Sequence, residues 1–482
     1  MSISSAIHTA RSGLQVSSLR AEIVATNVAN ATTPGYVRRS VSLSEKILTG
    51  GTAGVRVDGI GRAHDAAIKT QRRELTSAVS QANVMASAWK SVSARLGDST
   101  TGKGLFNSFS TFQTALSRAI TTPESTSNAA SLLDAARGIV SELQSLSTMV
   151  RTQRGEADRE IADGVNVVNN ALKQIENLNR QLAGMDRTSG QAAALLDERQ
   201  RVLDTIAEYL PIQTVDRDSG AIDVLTQEGV YLVAGQARQI EFTPSTAFTP
   251  NQTLAGGQLS GLTVAGVSLT PGTDSFAAVS GGLFGALFTL RDQDLPAFSA
   301  QLDAVAADLI ARLSEDSIDP TKTPGDPGIF IDPNPGGGPG LASRITINPA
   351  VDPAQGGALW RLRDGLGTSA PGDPGNASIL QGLFNAFTAV QPISSNGLNG
   401  SFSATELVAH LSSVVGQTRI HHESVQASIQ TQHAIMIEAE QAETGVDIDA
   451  QMQELLLVEQ AYAANARVIE VASQLIKILM EL

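Results

Sequence analysis

Cysteine is missing altogether from the 482 residues. Disulfides, thiolate nucleophiles and Cys-ligated zinc are therefore excluded, while cytosol and cell exterior both stay open as compartments. Aromatic residues amount to 4% and charged residues to 17%, the latter below the roughly 25% usual in soluble domains. Basic residues are outnumbered, 34 against 48 acidic, for a net charge of −14. A nucleic-acid surface needs clustered cations, and an anionic membrane attracts them as well, so neither partner is expected. Long apolar runs are also lacking. No window of about 18 apolar residues exists for a membrane span. The most apolar tract, 455–480, is broken by Glu459, Arg467, Glu470 and Lys477. The opening MSISSAIHTARSGL has no continuous apolar core of a cleaved signal peptide, so any export is expected to proceed without one.

The motifs of chemistry are equally scarce. The histidines are His8, His64, His410, His421, His422 and His433, and HHESV at 421–425 lacks the second His of a zinc HExxH helix. Asp216, Asp218 and Asp223 begin like a calcium loop. However, Gly220 falls one place early and Gln227 stands where a bidentate Glu is required. The GGGPG run at 336–340 has no Lys-Ser/Thr of a phosphate loop, and no GxSxG elbow occurs. Asp447 and Asp449 read as the N-terminal cap of the last helix, offsetting its dipole. No catalytic residue, metal ligand or cofactor site is expected.

What is present is helical periodicity at both ends. Ile3, Ile7, Ala10, Leu14, Ser17, Ala21, Val24 and Val28 fall at alternating steps of four and three, a coiled-coil seam. Val16, Leu19 and Ile23 make a shorter stripe beside it. The helix, roughly 40 Å long, is then stopped by TNVANATTPGYVRRS at 26–40, where Thr33-Pro34 leaves helical space and Gly35 permits a turn. Residues 37–63 read as irregular and β-like.

Helices are predicted over 69–96, 104–120, 126–184 and 190–209, the last stopped by Pro211. From 211 short strands and turns follow, with Asp218-Ser219-Gly220 and Gln227-Glu228-Gly229 as turn signals. A helical stretch at 281–316 is interrupted by Pro296. A Pro/Gly-rich loop covers 317–340, short strands and loops fill 344–375, and helices return at 378–391, 404–444 and 446–482. The last helix carries two seams. One is Leu455, Val458, Tyr462, Asn465, Ile469, Ala472, Ile476 and Leu479; the other is Leu457, Ala461, Ala464, Val468, Val471, Leu475 and Ile478. Two adjacent stripes make a face too wide for one partner helix.

The expected fold is mainly α with a β-rich insert. Residues 1–45 and 446–482 form a terminal coiled-coil domain, 46–210 and 376–445 a helical bundle, and 211–375 an outer β-rich insert at the far tip. The first seam holds only five large apolar residues, Ile3, Ile7, Leu14, Val24 and Val28, too few to offset the entropy of ordering so long a helix. The paired ends are therefore expected to order fully only against further copies or a similar protein.

SGLQVSSLRAEIVATNVANATTPGYVRR at 12–39 resembles the N-terminal region of the flagellar axial proteins, which form rod, hook and hook-associated structures. Asn27, Ala29, Asn30, Thr33, Pro34, Gly35 and Tyr36 match that family's N-x-A-N-x-x-T-P-G-Y pattern. LLDERQRVLDTIAEYL at 195–210, GVYLVAG at 229–235, GGLFGALFTLRDQDLP at 281–296, RITINPAVDPA at 344–354 and the stretch 445–479 are similar to its hook-associated branch. Gln200 and Val37 depart from the usual pattern. The resemblance implies a structural junction between hook and filament, built as a layer of identical subunits and exported by the flagellar type III route. The implied partners are the chain itself, the hook protein, a second hook–filament junction protein, and a cytoplasmic chaperone on the C-terminal helix. The implied subunit interface is Ile3, Ile7, Leu14, Val24, Asn27, Val28, Asn30 and Thr33 to Tyr36, with Leu455, Leu457, Val458, Tyr462, Val468, Ile469, Val471, Leu475, Ile476, Ile478 and Leu479. Alternatives are a hook or distal-rod subunit, a secreted coiled-coil scaffold or adhesin, and an enzyme.

Overall fold

A computed structural model describes residues 3–48, 51–97, 102–250, 252–254, 256–334 and 336–481. Leu482, the last residue of the predicted terminal helix, and Met1 and Ser2 of the terminal domain lie outside it. The chain opens with α1 (Ile3–Ala29) and a long antiparallel hairpin, β1 (Arg39–Leu48) and β2 (Gly51–Arg62). The segment read as irregular is thus a two-stranded ribbon, bent by register shifts at Ser42/Leu43 and Glu45/Ile47.

The helical body follows as α2 (Ala66–Leu96), α3 (Gly104–Thr121), α4 (Thr126–Ala183) and α5 (Gly190–Tyr209). Three of these starts have a local cause. Asp65 caps α2, Ser125 caps α4 just after Pro123, and Ser189 caps α5. Strands β3 (Ile212–Asp216), β4 (Ile222–Thr226), β5 (Tyr231–Ala234) and β6 (Gln236–Ala237) form one antiparallel sheet in that order. A second sheet comprises β7 (Ile240–Glu241), β8 (Thr263–Val264) and β9 (Val267–Ser268). Then come α6 (Gly282–Thr289) and α7 (Leu295–Leu313), joined by a π-helical turn at Leu290–Asp294. Pro296 therefore widens the helix rather than breaking it, because its missing N–H is absorbed by the looser turn. Short elements β10 (Phe330–Ile331), α8 (Leu341–Arg344), β11 (Thr346–Ile347) and α9 (Arg361–Asp364) lead to α10 (Ser378–Thr388). The hairpin β12 (Gln391–Ser395) and β13 (Leu398–Phe402) precedes α11 (Ala404–Thr444) and α12 (Ile448–Glu481). Ser403 and Glu406 close a reciprocal capping box at the start of α11.

Two buried apolar clusters hold the body together. The first joins α2, α3, the early turns of α4, α7, α10 and the start of α11 around Phe112, Leu143, Leu309 and Phe387. The second joins the later turns of α4 to α5, α6 and the sheets around Ile161, Ile206, Val224 and Phe284. One unbroken helix, α4, thus serves both. The 211–375 segment feeds both clusters, its β3–β9 strands the second, and α7 with the β10–β11 pair the first. Alongside, α2 runs antiparallel to α11, tied by Arg72 to Glu440, Thr76 to His433, Asn83 to Gln426 and Trp89 stacked on His422. The fold is mainly α with a β-rich part. Among the described residues, no member of α1 or α12 belongs to either apolar cluster.

Candidate assembly interface

The terminal helices pack antiparallel. Asn27 meets Gln451, Arg20 pairs with Glu454, Gly13 lies against Asn465, and Ile3 and Ala6 face Val468 and Val471. The approach at Gly13 is close, since a Cβ there would sit 2.7 Å from the Asn465 amide. On its other side α1 rests on the β1–β2 hairpin, where the Val55 N–H donates to Ser12 Oγ at 3.2 Å.

The two seams of α12 have different fates. In the first, Val458 and Ala472 are buried, and Leu455, Asn465 and Ile469 are half-buried; Tyr462, Ile476 and Leu479 are exposed. Every member of the second seam, Leu457, Ala461, Ala464, Val468, Val471, Leu475 and Ile478, is exposed. Leu457 is 61% and Ile478 55% accessible, values unusual for aliphatic side chains of an isolated chain. On α1, Val24 is buried while Ile3, Ile7, Leu14 and Val28 are half-buried. An apolar cavity of about 430 Å³ lies open between the free ends of the two helices.

At the other end of the pair the chain is tied in a knot of hydrogen bonds. Asn27 is 1% exposed and satisfies its whole amide. Its Nδ2 donates to Gln451 Oε1 (2.8 Å) and to the Arg39 carbonyl (2.9 Å). Its Oδ1 accepts from the Tyr36 hydroxyl (2.7 Å) and the Arg39 N–H (3.0 Å). One side chain thereby joins α1, the turn, the hairpin root and α12. Asn30 Nδ2 closes back on the Thr26 carbonyl at 2.9 Å. The Tyr36 N–H donates to the Thr33 carbonyl at 3.1 Å around Pro34 and Gly35, whose φ of +76° is that of a type II turn. Burial raises the pKa of Tyr36 against the lowering effect of Arg39, which stacks 4.9 Å over its ring. Thr33, Pro34 and Gly35 themselves stay exposed.

The knot is pinned to the body by residues without a role in the sequence reading. Asp197 of α5, buried, accepts from Arg39 (3.2 Å) and Arg62 (2.5 Å), the two ends of the hairpin. The Ile60 N–H donates to the Thr188 carbonyl at 2.7 Å, and the Arg38 N–H to the Thr444 carbonyl at 2.9 Å. Gln451 belonged to no apolar seam, and Asp197 lay inside LLDERQ without an assigned partner. Only the pairing of distant segments gives them meaning.

The sequence-level chemical candidates are placed in structural settings. Asp223 pairs with Arg217 beside the β3–β4 turn, and Asp447 caps α12 through the N–H groups of Asp449 and Ala450. Among the described residues, no group of three His, Cys, Asp or Glu is placed to hold a metal, and no helix is long and apolar enough to cross a membrane.

Comparison with known proteins places these regions in two related settings. Residues 90–328 match the family described as flagellar hook-associated protein FlgK helical domain, and residues 7–36 match the flagella basal body rod protein family. The first match takes in just under half of the chain and the second its N-terminal helix and turn. Flagellar hook-associated protein 1 of Salmonella typhimurium (strain LT2) is 28% identical over 303 residues, 61% of this chain and 53% of that protein. The Escherichia coli (strain K12) protein of the same name is 26% identical over the same shares. The Bacillus subtilis (strain 168) one is 24% identical over 46% of each. The chain spans about half the length of the curated relatives it matches. The solved flagellar hook junction protein from Burkholderia pseudomallei has a TM-score of 0.43 and 21% identity, covering 54% of this chain and 46% of that one.

Proposed function

From the premise that the chain belongs to the flagellar hook-associated protein 1 family, we propose that it is a structural subunit joining the flagellar hook to the filament. The observation that carries this proposal is the wholly exposed second seam of α12, from Leu457 to Ile478, set beside a half-covered α1. Such a face needs neighbours. In the assembled layer those neighbours are α1 and α12 of further copies, with the hook protein and a second junction protein at the two ends. The interface comprises the exposed seam residues of α12, Ile3, Ile7, Leu14 and Val28 of α1, and the exposed turn Thr33-Pro34-Gly35. Val24, Asn27 and Val458 act from within, holding the pair in shape. In this layer the terminal pair lies inward and the body outward. The protein is exported from the cytoplasm by the flagellar route, its C-terminal helix covered by a chaperone until then. It has no catalytic task.

The stretch at 7–36 suits any axial subunit. The helical region at 90–328 favours the hook-associated role over a hook or rod one. Deletion of the gene followed by electron microscopy tests the proposal. Intact hooks without filaments, with filament protein shed to the medium, are expected. Normal filaments would overturn it.

A further inference from the structure

A cavity of about 460 Å³ opens at the root of the terminal pair, between α1, the base of the hairpin and the first turns of α12. Its walls carry four guanidinium groups, Arg20, Arg38, Arg39 and Arg62, and a single carboxylate, Glu454. Glu454 is taken by Arg20. Asp197, outside the lining, accepts from Nη2 of Arg39 and Nε of Arg62. Nε of Arg39 and Nη2 of Arg62 remain buried without an acceptor.

Further buried polar groups stand on α2, outside the cavity lining. Lys69, Arg73 and Ser77 succeed one another at steps of four on α2, all three buried. Lys69 Nζ and Ser77 Oγ have no hydrogen-bond partner, and Arg73 Nε has only the long ion pair to Asp204 at 3.9 Å. Nine buried side-chain polar atoms among the described residues lack a partner; five of them lie between Arg39 and Ser77, and each can donate. Buried donors are ordinarily satisfied, so the orphaned atoms of Arg39 and Arg62 mark a surplus of cationic donors over acceptors at this cavity. Burial and, after it, the charge of Arg62 bring the Lys69 pKa down to about 8, consistent with uncompensated positive charge here. Arg38 stands exposed at the rim with one long contact, Nη2 to the Glu443 carbonyl at 3.5 Å, and is free to turn inward.

We propose that this cavity binds an oxyanion, held by the guanidinium groups of Arg39 and Arg62 that line it and closed over by Arg38. The shared chemistry is a carboxylate or phosphate group accepting forked, charge-assisted hydrogen bonds. It comes either from an acidic side chain of an adjacent copy or from a free anion. Anion binding itself does not depend on the junction role; only a neighbour's carboxylate as the occupant rests on that reading.

The test is calorimetric titration of the full chain with inorganic phosphate against chloride at matched ionic strength. Saturable binding at one site is expected, weakened about tenfold in Arg38→Gln, as removal of one charged hydrogen bond implies. It should be partly restored in Arg38→Lys and unchanged in Arg151→Gln, a surface control. Arg38 is exposed, so its replacement leaves the fold intact. Absence of saturable binding, or equal affinity in wild type and Arg38→Gln, overturns the site. Phosphate that binds and also slows assembly of the wild type identifies a neighbour's carboxylate as the native occupant. Phosphate that binds and leaves assembly unchanged identifies a free anion.

Discussion

The helical body and the terminal pair are both made of long helices, yet they are held in opposite ways. In the body, residues such as Leu105, Phe112, Leu143 and Ile161 are wholly excluded from water, and α4 threads both apolar clusters. In the pair, α12 buries only Gln451, Val458 and Ala472, and its order rests on a polar knot at one end. Apolar burial supplies stability in proportion to area, whereas hydrogen bonds fix geometry at modest net gain. The body therefore carries its own apolar core, whereas the pair is aimed by hydrogen bonds and, on the proposed function, completed only by assembly.

The contrast can be broken most sharply in the body. Leu143→Ala should destabilise the protein by about 2–5 kcal/mol, seen as a lowered denaturant midpoint, because no water can fill the space it leaves. An unchanged midpoint would mean the first cluster is not what holds the fold. Next, Asn27→Ala should remove about 1–3 kcal/mol of local stability by stranding Gln451 and the Tyr36 hydroxyl. Hydrogen exchange would show it as faster opening of residues 21–29 and 448–458 with the body unaffected. Gly35→Val forces a branched residue to φ +76° and brings its Cβ to 2.8 Å from Arg201 Cγ, a strain of about 1–3 kcal/mol confined to the turn. Export should persist while incorporation into the junction falls; normal junctions in a complemented strain would dismiss the role of the turn.

A weaker effect is expected from pH. Burial and then the charge of His421 lower the pKa of His422, with Asp294 opposing; burial and then Arg72 lower that of His433. Both rings stay neutral more readily in the folded state, so the unfolded chain binds more protons. Their contribution is complete above about pH 6.5 and is lost as pH falls through the depressed folded values. Trp89 fluorescence, read against His422→Gln, should report loosening of α2 from α11 on acidification. Identical acid transitions in both proteins would refute it. The smallest effect on the lone chain belongs to Leu457→Ser. Stability should move by no more than about 0.5 kcal/mol, yet self-association followed by light scattering should fail.

Most of the helical body was legible because its signals are local. Ser125 after Pro123, Ser189, Pro211 and Ser403 with Glu406 mark ends that structure and periodicity place within a few residues of each other. The hairpin at 391–402 carried a readable cue, Asn396-Gly397, both with positive φ, but the five-residue strands beside it were too polar to draw notice. The β1–β2 ribbon was harder still, since its alternation is broken twice by register shifts. The two seams of α12 could be read; which one α1 would cover could not, because that depends on the angle set by Asn27 and Gln451. Asp197, Arg39 and Arg62 are silent in sequence, being 158 and 135 residues apart in their pairings.

The uninterrupted 58 residues of α4 have a mechanical consequence. A rod shared by both halves of the body resists any relative swing, because bending it would strain two interiors at once. The chain itself crosses from terminal pair to body only at 63–65 and 445–447. A torque delivered along the terminal helices would reach this stiff lever through those two crossings and through the ties of Asp197, Thr188 and Thr444 beside them.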